Sequence, residues 1–144
     1  MSELAEQSVA AAARLGMSPG DTVGEVGYDE DVDHELRDAV QDVIDSDLLD
    51  EDTDEVLDAV LFWWREPDGD LTDALVDSIS LLADTGVIWL LTPKTGRDGY
   101  VEPSDIAEAT ATAGLSQTTS VPSGSGSGWM ITRLVRPKSG KVRR

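Results

Sequence analysis

Apolar and polar positions along the chain alternate between two periods. Val32, Leu36, Val40, Val43 and Ile44 recur at about 3.6 residues, the spacing of a helix with one buried stripe, and Asp29 and Asp31 ahead of them supply caps and first-turn negative charge. A second stripe, Leu71, Leu75, Ile79 and Leu82, follows Asp70, whose cap is supported by Asp73, and Gly86 is expected to end that helix. A third begins at Pro103, turns Ile106, Ala109 and Ala113 inward, and stops at Gly114. An Ala-rich stretch from Ser2 through Leu15 predicts a helix ahead of all three, closed by Gly16. Between the helical stripes, Thr22 to Gly27 reads as a short strand. Val56 to Trp64 (VLDAVLFWW) and Val87 to Leu91 (VIWLL) are apolar almost throughout, as strands covered on both faces must be. Gln117 to Val121 and Trp129 to Val135 read as strands paired around the loop PSGSGSG. Asp45 to Glu55 is acidic with only Leu48 and Leu49 as anchors, so it is read as a loop or one helical turn.

Strand and helix in alternation imply right-handed crossovers, and helices then cover both faces of a parallel sheet. The predicted fold is therefore α/β: a three-layer Rossmann-like sheet, mostly parallel, with one antiparallel strand in the terminal hairpin. Residues 1–136 are expected to form one domain with an N-terminal helix, and residues 137–144 a basic tail. A length of 144 residues suits one core without metal or disulfide support.

Composition narrows the chemistry. The chain has no cysteine, which excludes disulfides, thiol nucleophiles and cysteine-ligated metals. Met1 to Gln7 carries Glu3 and Glu6 with no basic residue and no long apolar run, so a cytoplasmic protein without a membrane segment is expected. The net charge is −18, from 29 acidic and 11 basic residues. Fifteen of the acids lie between Asp29 and Asp58, where Arg37 is the one base, whereas six of the bases lie between Arg133 and Arg144. An acidic body repels phosphate, so nucleic acid could be met only through the tail. The acidity itself has two readings: solubility, or a surface that steers a basic protein partner. The tail is a disordered solubilising end, a nucleic-acid contact, or a strap on the acidic body.

LLADTGVIWLLTPK, from Leu81 to Lys94, resembles the segment of class I methyltransferases in which a helix ends and the fifth strand begins. DAVLFWW resembles their fourth strand, and the closing hairpin their reversed last strand. VGEVGYDEDVD resembles a worn first methyltransferase motif, with Glu25 and Gly27 in place. RLGMSPGDTVGEVGYDEDVDHELRDA, WWREPDGDLTDAL and LLTPK together are similar to a small uncharacterised actinobacterial family of Rossmann-like proteins, domain of unknown function 3052. The resemblance implies a truncated methyltransferase-like sheet and leaves the activity open. At the first turn, Tyr28, Asp29, Glu30 and Asp31 stand where glycines would let a ligand approach the backbone, and they add three negative charges. Neither adenosylmethionine nor a nucleotide is expected as a cofactor. The stretch from Asp33 to Val56 is also too short for the two further strand–helix units of a full methyltransferase.

Other constellations fail on spacing. Asp29, Asp31 and Asp33 alternate as in a calcium loop, but His34 stands where glycine is needed and Val40 where a bidentate Glu is needed, so capping explains them and no metal site is assigned. His34, the one histidine, has no accompanying nucleophile pattern, and no catalytic residue is assigned. In open α/β sheets ligands lie beyond the carboxyl ends of the strands. That rule makes Tyr28, Asp29, Trp64, Arg65, Thr92 and Lys94 the candidate ligand crevice, with Arg65 and Lys94 either binding an anion or neutralising an acidic rim. Trp63 and Trp64 must face opposite sides of the sheet. Asp38, Asp42 and Asp45 are the candidate partner surface. The leading expectation is a non-enzymatic regulatory or adaptor protein that binds a basic protein, with a transcription component as the first partner to test. The alternative is a degenerate methyltransferase-like enzyme or a sensor of adenosylmethionine or nucleotide. Oligomeric state is not legible in the sequence.

Overall fold

The computed structural model describes residues 17–50, 52–122 and 128–136; the predicted N-terminal helix, the centre of the PSGSGSG loop and the basic tail lie outside them. The elements run β1 (Val23–Val26), α1 (His34–Ile44), β2 (Leu57–Trp63), a 3₁₀ turn (Glu66–Asp68), α2 (Leu71–Ile79), β3 (Leu82–Pro93), α3 (Pro103–Thr112), β4 (Ser116–Pro122) and β5 (Trp129–Val135).

The five strands form one sheet in the order β1-β2-β3-β5-β4. Pairings β1–β2 and β2–β3 are parallel, whereas β3–β5 and β4–β5 are antiparallel. The sheet is thus mixed, which corrects the expectation of a mostly parallel one. The reason is that β5 returns from its hairpin into the slot between β3 and β4, so it runs against two neighbours.

Alternation along the strands divides the core. Val23, Leu61, Trp63, Trp89, Leu91, Trp129 and Ile131 meet Leu36, Val40 and Ile44 of α1 on one face. Val60, Phe62, Trp64, Ile88, Leu90 and Leu134 meet Leu71 and Leu75 of α2 and Ile106 and Ala109 of α3 on the other. Trp63 and Trp64 do lie on opposite faces, and both are buried.

Two boundaries differ from the sequence reading. Helix α1 is capped by Asp33, whose carboxylate accepts from the Leu36 amide at 3.1 Å, so Asp29 and Asp31 are left free to shape the preceding turn. Helix α2 ends at Ile79 and not at Gly86, because Leu82 has already entered β3 and pairs with Leu57. The described residues of the acidic stretch after α1 run as a loop, one of its two expected forms, and Leu49 makes one parallel bridge to β1, accepting from the Glu25 amide and donating to the Val23 carbonyl. Among the described residues no helix is long and apolar enough to cross a membrane.

Candidate functional site

The carboxyl ends of β1, β2 and β3 lie at one edge of the sheet, and β5 begins there, since Trp129 pairs with Pro93. At this edge the chain's own groups occupy the space above β1 and β2. The residue after β1, Gly27, has φ +78°, and a Cβ on it would collide with the carbonyl oxygen of Trp63. Only glycine lets the first turn lie so close to the end of β2.

Two ionic groups build on that approach. Arg65, just past β2, donates from Nη1 to the Gly27 carbonyl at 2.7 Å, and forks onto Asp31 with contacts of 2.5 and 3.1 Å. The fork fits because a guanidinium and a carboxylate are both planar and matched in spacing. Its guanidinium also lies 5.3 Å from the centre of the Trp129 ring. Trp129 in turn donates from Nε1 to the Asp31 carbonyl at 3.1 Å and meets Trp63 edge-on at 5.0 Å. The second group sits one layer deeper. Glu25 on β1 is buried, yet both of its oxygens are used: Arg37 of α1 forks onto it at 2.5 and 2.8 Å, and the Trp63 indole donates to it at 2.9 Å. Arg37 then covers the half-exposed Tyr28 ring at 4.5 Å.

The charge states follow from these contacts. The Arg65 hydrogen bond, more than the opposing effect of partial burial, holds the Asp31 carboxyl below the usual aspartate range. Arg37 is raised by its hydrogen bond to Glu25 against the effect of burial. For Arg65 burial acts downward, and the Asp31 hydrogen bond and charge outweigh it, so the net direction is upward. All three groups are ionised at neutral pH.

The six crevice candidates do not converge. Tyr28, Asp29 and Arg65 surround the sealed end of β1. Trp64 packs on the opposite face and borders a shallow groove with Asp70, Leu71, Asp105 and Glu108. Thr92 and Lys94 border a separate crevice of about 420 Å³ between the ends of β3 and β5 and the first turn of α3. Strand parity accounts for the split: Thr92 points with Leu90 and Ile88, towards α3. Asp38, Asp42 and Asp45 do stand together, with Gln41, Ser46 and Asp47, around an open depression at the end of α1. Asp45 has φ +60° and closes the helix, its amide donating to the Gln41 carbonyl. Among the described residues no group of His, Asp or Glu could hold a metal ion.

The sequence reading put Asp31 in the first turn and Trp63 at the end of its strand, but counted neither of them, nor Arg37 or Trp129, among the candidate site residues. Trp129 had a usable signal, an aromatic opening the last strand opposite the end of β3. The Glu25–Arg37 pair, joining β1 to α1, had none.

A family model described as a protein of unknown function, DUF3052, matches residues 12–138. Uncharacterized proteins of Mycobacterium tuberculosis and Mycobacterium bovis are each 52% identical over 128 residues, covering 89% of this chain and 79% of theirs. Among solved structures, the mitomycin 7-O-methyltransferase MmcR superposes with TM-score 0.58 at 13% identity, over 90% of this chain and 54% of that one. The pyocyanin biosynthetic protein PhzM gives 0.59 at 12%, over 92% and 55%. Geranyl diphosphate methyltransferase in complex with SAM gives 0.57 at 13%, over 92% and 85%. The chain spans about half the length of the first two proteins. At these identities the likeness is one of fold alone.

Proposed function

Taking as premise that the chain belongs to the DUF3052 family of proteins of unknown function, we propose that it is a non-enzymatic regulatory or adaptor protein that docks a basic protein partner on the carboxyl end of α1. One observation carries the reading. Asp42, Asp45 and Asp47 crowd the end of α1, whose last turn has no basic residue. A helix presents its negative pole there, so each acid near it costs about 0.3–1 kcal/mol at low salt. Solubility needs acids somewhere on a surface, but does not need them where they oppose the helix dipole. A binding surface that a cationic partner neutralises accounts for the placement.

The sealed strand ends support the non-enzymatic half of the proposal. A methyltransferase-like cofactor needs open space and bare backbone above β1 and β2. Here Arg65, Asp31 and Trp129 occupy that space and bond to one another. Opening it would break a charge-assisted fork and expose an indole.

The test compares proteins captured from native lysate by the wild-type chain and by a variant carrying Asp38→Lys and Asp42→Lys. A discrete basic protein retained by the first and lost by the second supports the proposal. Equal capture by both baits at physiological salt sinks it and leaves the acidity as a solubility device.

A further inference from the structure

Six basic residues fall among the described ones, and five are engaged. Arg37 is held by Glu25, Arg65 by Asp31, Arg97 by the Gly128 carbonyl, Arg133 by the Thr118 hydroxyl and the Trp89 ring, and Arg136 by the Ile79 and Leu82 carbonyls. Lys94 is the sixth. Its ammonium makes no hydrogen bond or ion pair with any described residue, in a chain with 29 acids. With so many carboxylates available, a half-buried cation left unpaired points to a counter-ion from outside.

The surroundings of Lys94 define that counter-ion. It follows directly on β3 and borders the crevice of about 420 Å³ beneath the start of α3. Val101, Ile106 and Met130 give the crevice apolar walls, and Tyr100 and Gln117 add polar groups. The volume falls in the range of small-molecule sites, and the mixture of apolar wall with a few polar groups is their usual lining. Val101 and Ile106 are buried parts of the core, so two of the walls are fixed by the fold. One cation favours one negative charge. A second charge on the ligand would meet the field of a chain at −18 without a further base in the crevice lining to offset it.

We propose that this crevice binds a small monoanion with an aromatic or aliphatic body, such as an aromatic carboxylate, with Lys94 as its counter-ion. The site is on the opposite face of the sheet from α1 and stands independently of the partner-docking reading.

The test titrates the full chain, isotope-labelled, with 1-naphthoate and separately with the neutral naphthalene-1-carboxamide, following backbone amide shifts. Naphthoate should saturate shifts at Lys94, Tyr100, Val101, Gln117 and Met130, and the carboxamide should bind about tenfold more weakly, the factor that corresponds to about 1.4 kcal/mol for the lost ion pair. Lys94→Met should bring naphthoate down to the carboxamide's affinity, whereas Lys94→Arg should keep it. Ile106→Trp, which fills the crevice, should abolish binding of both while the remaining amide spectrum stays dispersed. Equal affinity for acid and amide, wild-type affinity in Lys94→Met, or no shift at the crevice up to about 5 mM ligand, a free energy near −3 kcal/mol, would each overturn the proposal.

Discussion

Replacing Arg65 by Met tests whether the ionic seal at the strand ends holds the fold together. The substitution keeps an unbranched apolar stem and removes all five donors. Lost are the fork on Asp31, the 2.7 Å bond to the Gly27 carbonyl, and the cation 5.3 Å from the Trp129 ring. These losses are unequal. The Arg65 side chain retains 13% of its exposure but Asp31 retains 45%, so the released carboxylate regains much of its hydration. For that reason the fork is assigned about 1 kcal/mol, at the level of exposed pairs and far below a buried one. A carbonyl that accepts from a charged donor contributes about 1.5–3 kcal/mol, and the cation over the ring about 0.5–1. Neighbouring terms are not additive, so the expected total is about 2–4 kcal/mol. With a urea slope near 2 kcal/mol/M the unfolding midpoint should fall by about 1–2 M at unchanged slope. Tryptophan fluorescence is a suitable probe because Trp63 and Trp129 sit in the network. Asp31→Asn, alone and combined with Arg65→Met, should show a coupling near 1 kcal/mol. A midpoint shift below about 0.3 M in Arg65→Met, at the same slope, would refute the reasoning and leave packing alone as what closes the strand ends.

Three further outcomes follow from the same geometry. Asp31 is held below the usual aspartate range when folded, so its ion pair contributes stability above the unfolded-state value and loses it as pH falls through the folded one. Urea midpoints should therefore drop below about pH 4 in the wild type, and Asp31→Asn should flatten that drop while being less stable at pH 7; parallel profiles would contradict the assignment. Asp42→Lys replaces an acid at the negative pole of α1 and should raise stability by about 0.3–1 kcal/mol, seen as a melting temperature higher by about 1–4 °C, and a lower melting temperature would remove the dipole argument. Calorimetry with adenosylmethionine should give no saturable heat below about 100 μM; micromolar binding abolished by Asp29→Ala would show that the first turn still receives a cofactor.

The presence of the five strands, the start of α2 and both ends of α3 were legible because their apolar periods are clean and their caps local. Asp70 with Asp73, and Pro103 with Gly114, each act within one turn of the residues they terminate. The start of α1 was ambiguous because Asp29, Asp31 and Asp33 can all cap, and only the tertiary fork from Arg65 commits Asp31 elsewhere. The start of β3 was misplaced because Gly86 after a helical stripe imitates a helix end, while the pairing of Leu82 with Leu57 is set by the sheet. The mixed sheet followed from where β5 inserts, which no local pattern encodes. The candidate site was legible in its location at the strand ends and not in its membership. Trp129 reaches Asp31 across 98 positions in sequence, and Arg37 reaches Glu25 from a different element. The split between Tyr28 and Thr92 was within reach, since strand parity alone sends Thr92 to the face of Leu90.

The association rate of the captured basic partner with the wild-type chain, followed by stopped flow across salt, bears most directly on the proposal that the end of α1 is a docking surface. Electrostatic steering predicts a rate that falls steeply, by about tenfold or more between roughly 50 and 300 mM salt. The variant carrying Asp38→Lys and Asp42→Lys should be slow at every salt concentration and should dissociate at nearly the wild-type rate, because charges at a rim act mainly on the encounter. An association rate indifferent to salt and to both reversals would contradict the assignment of this surface.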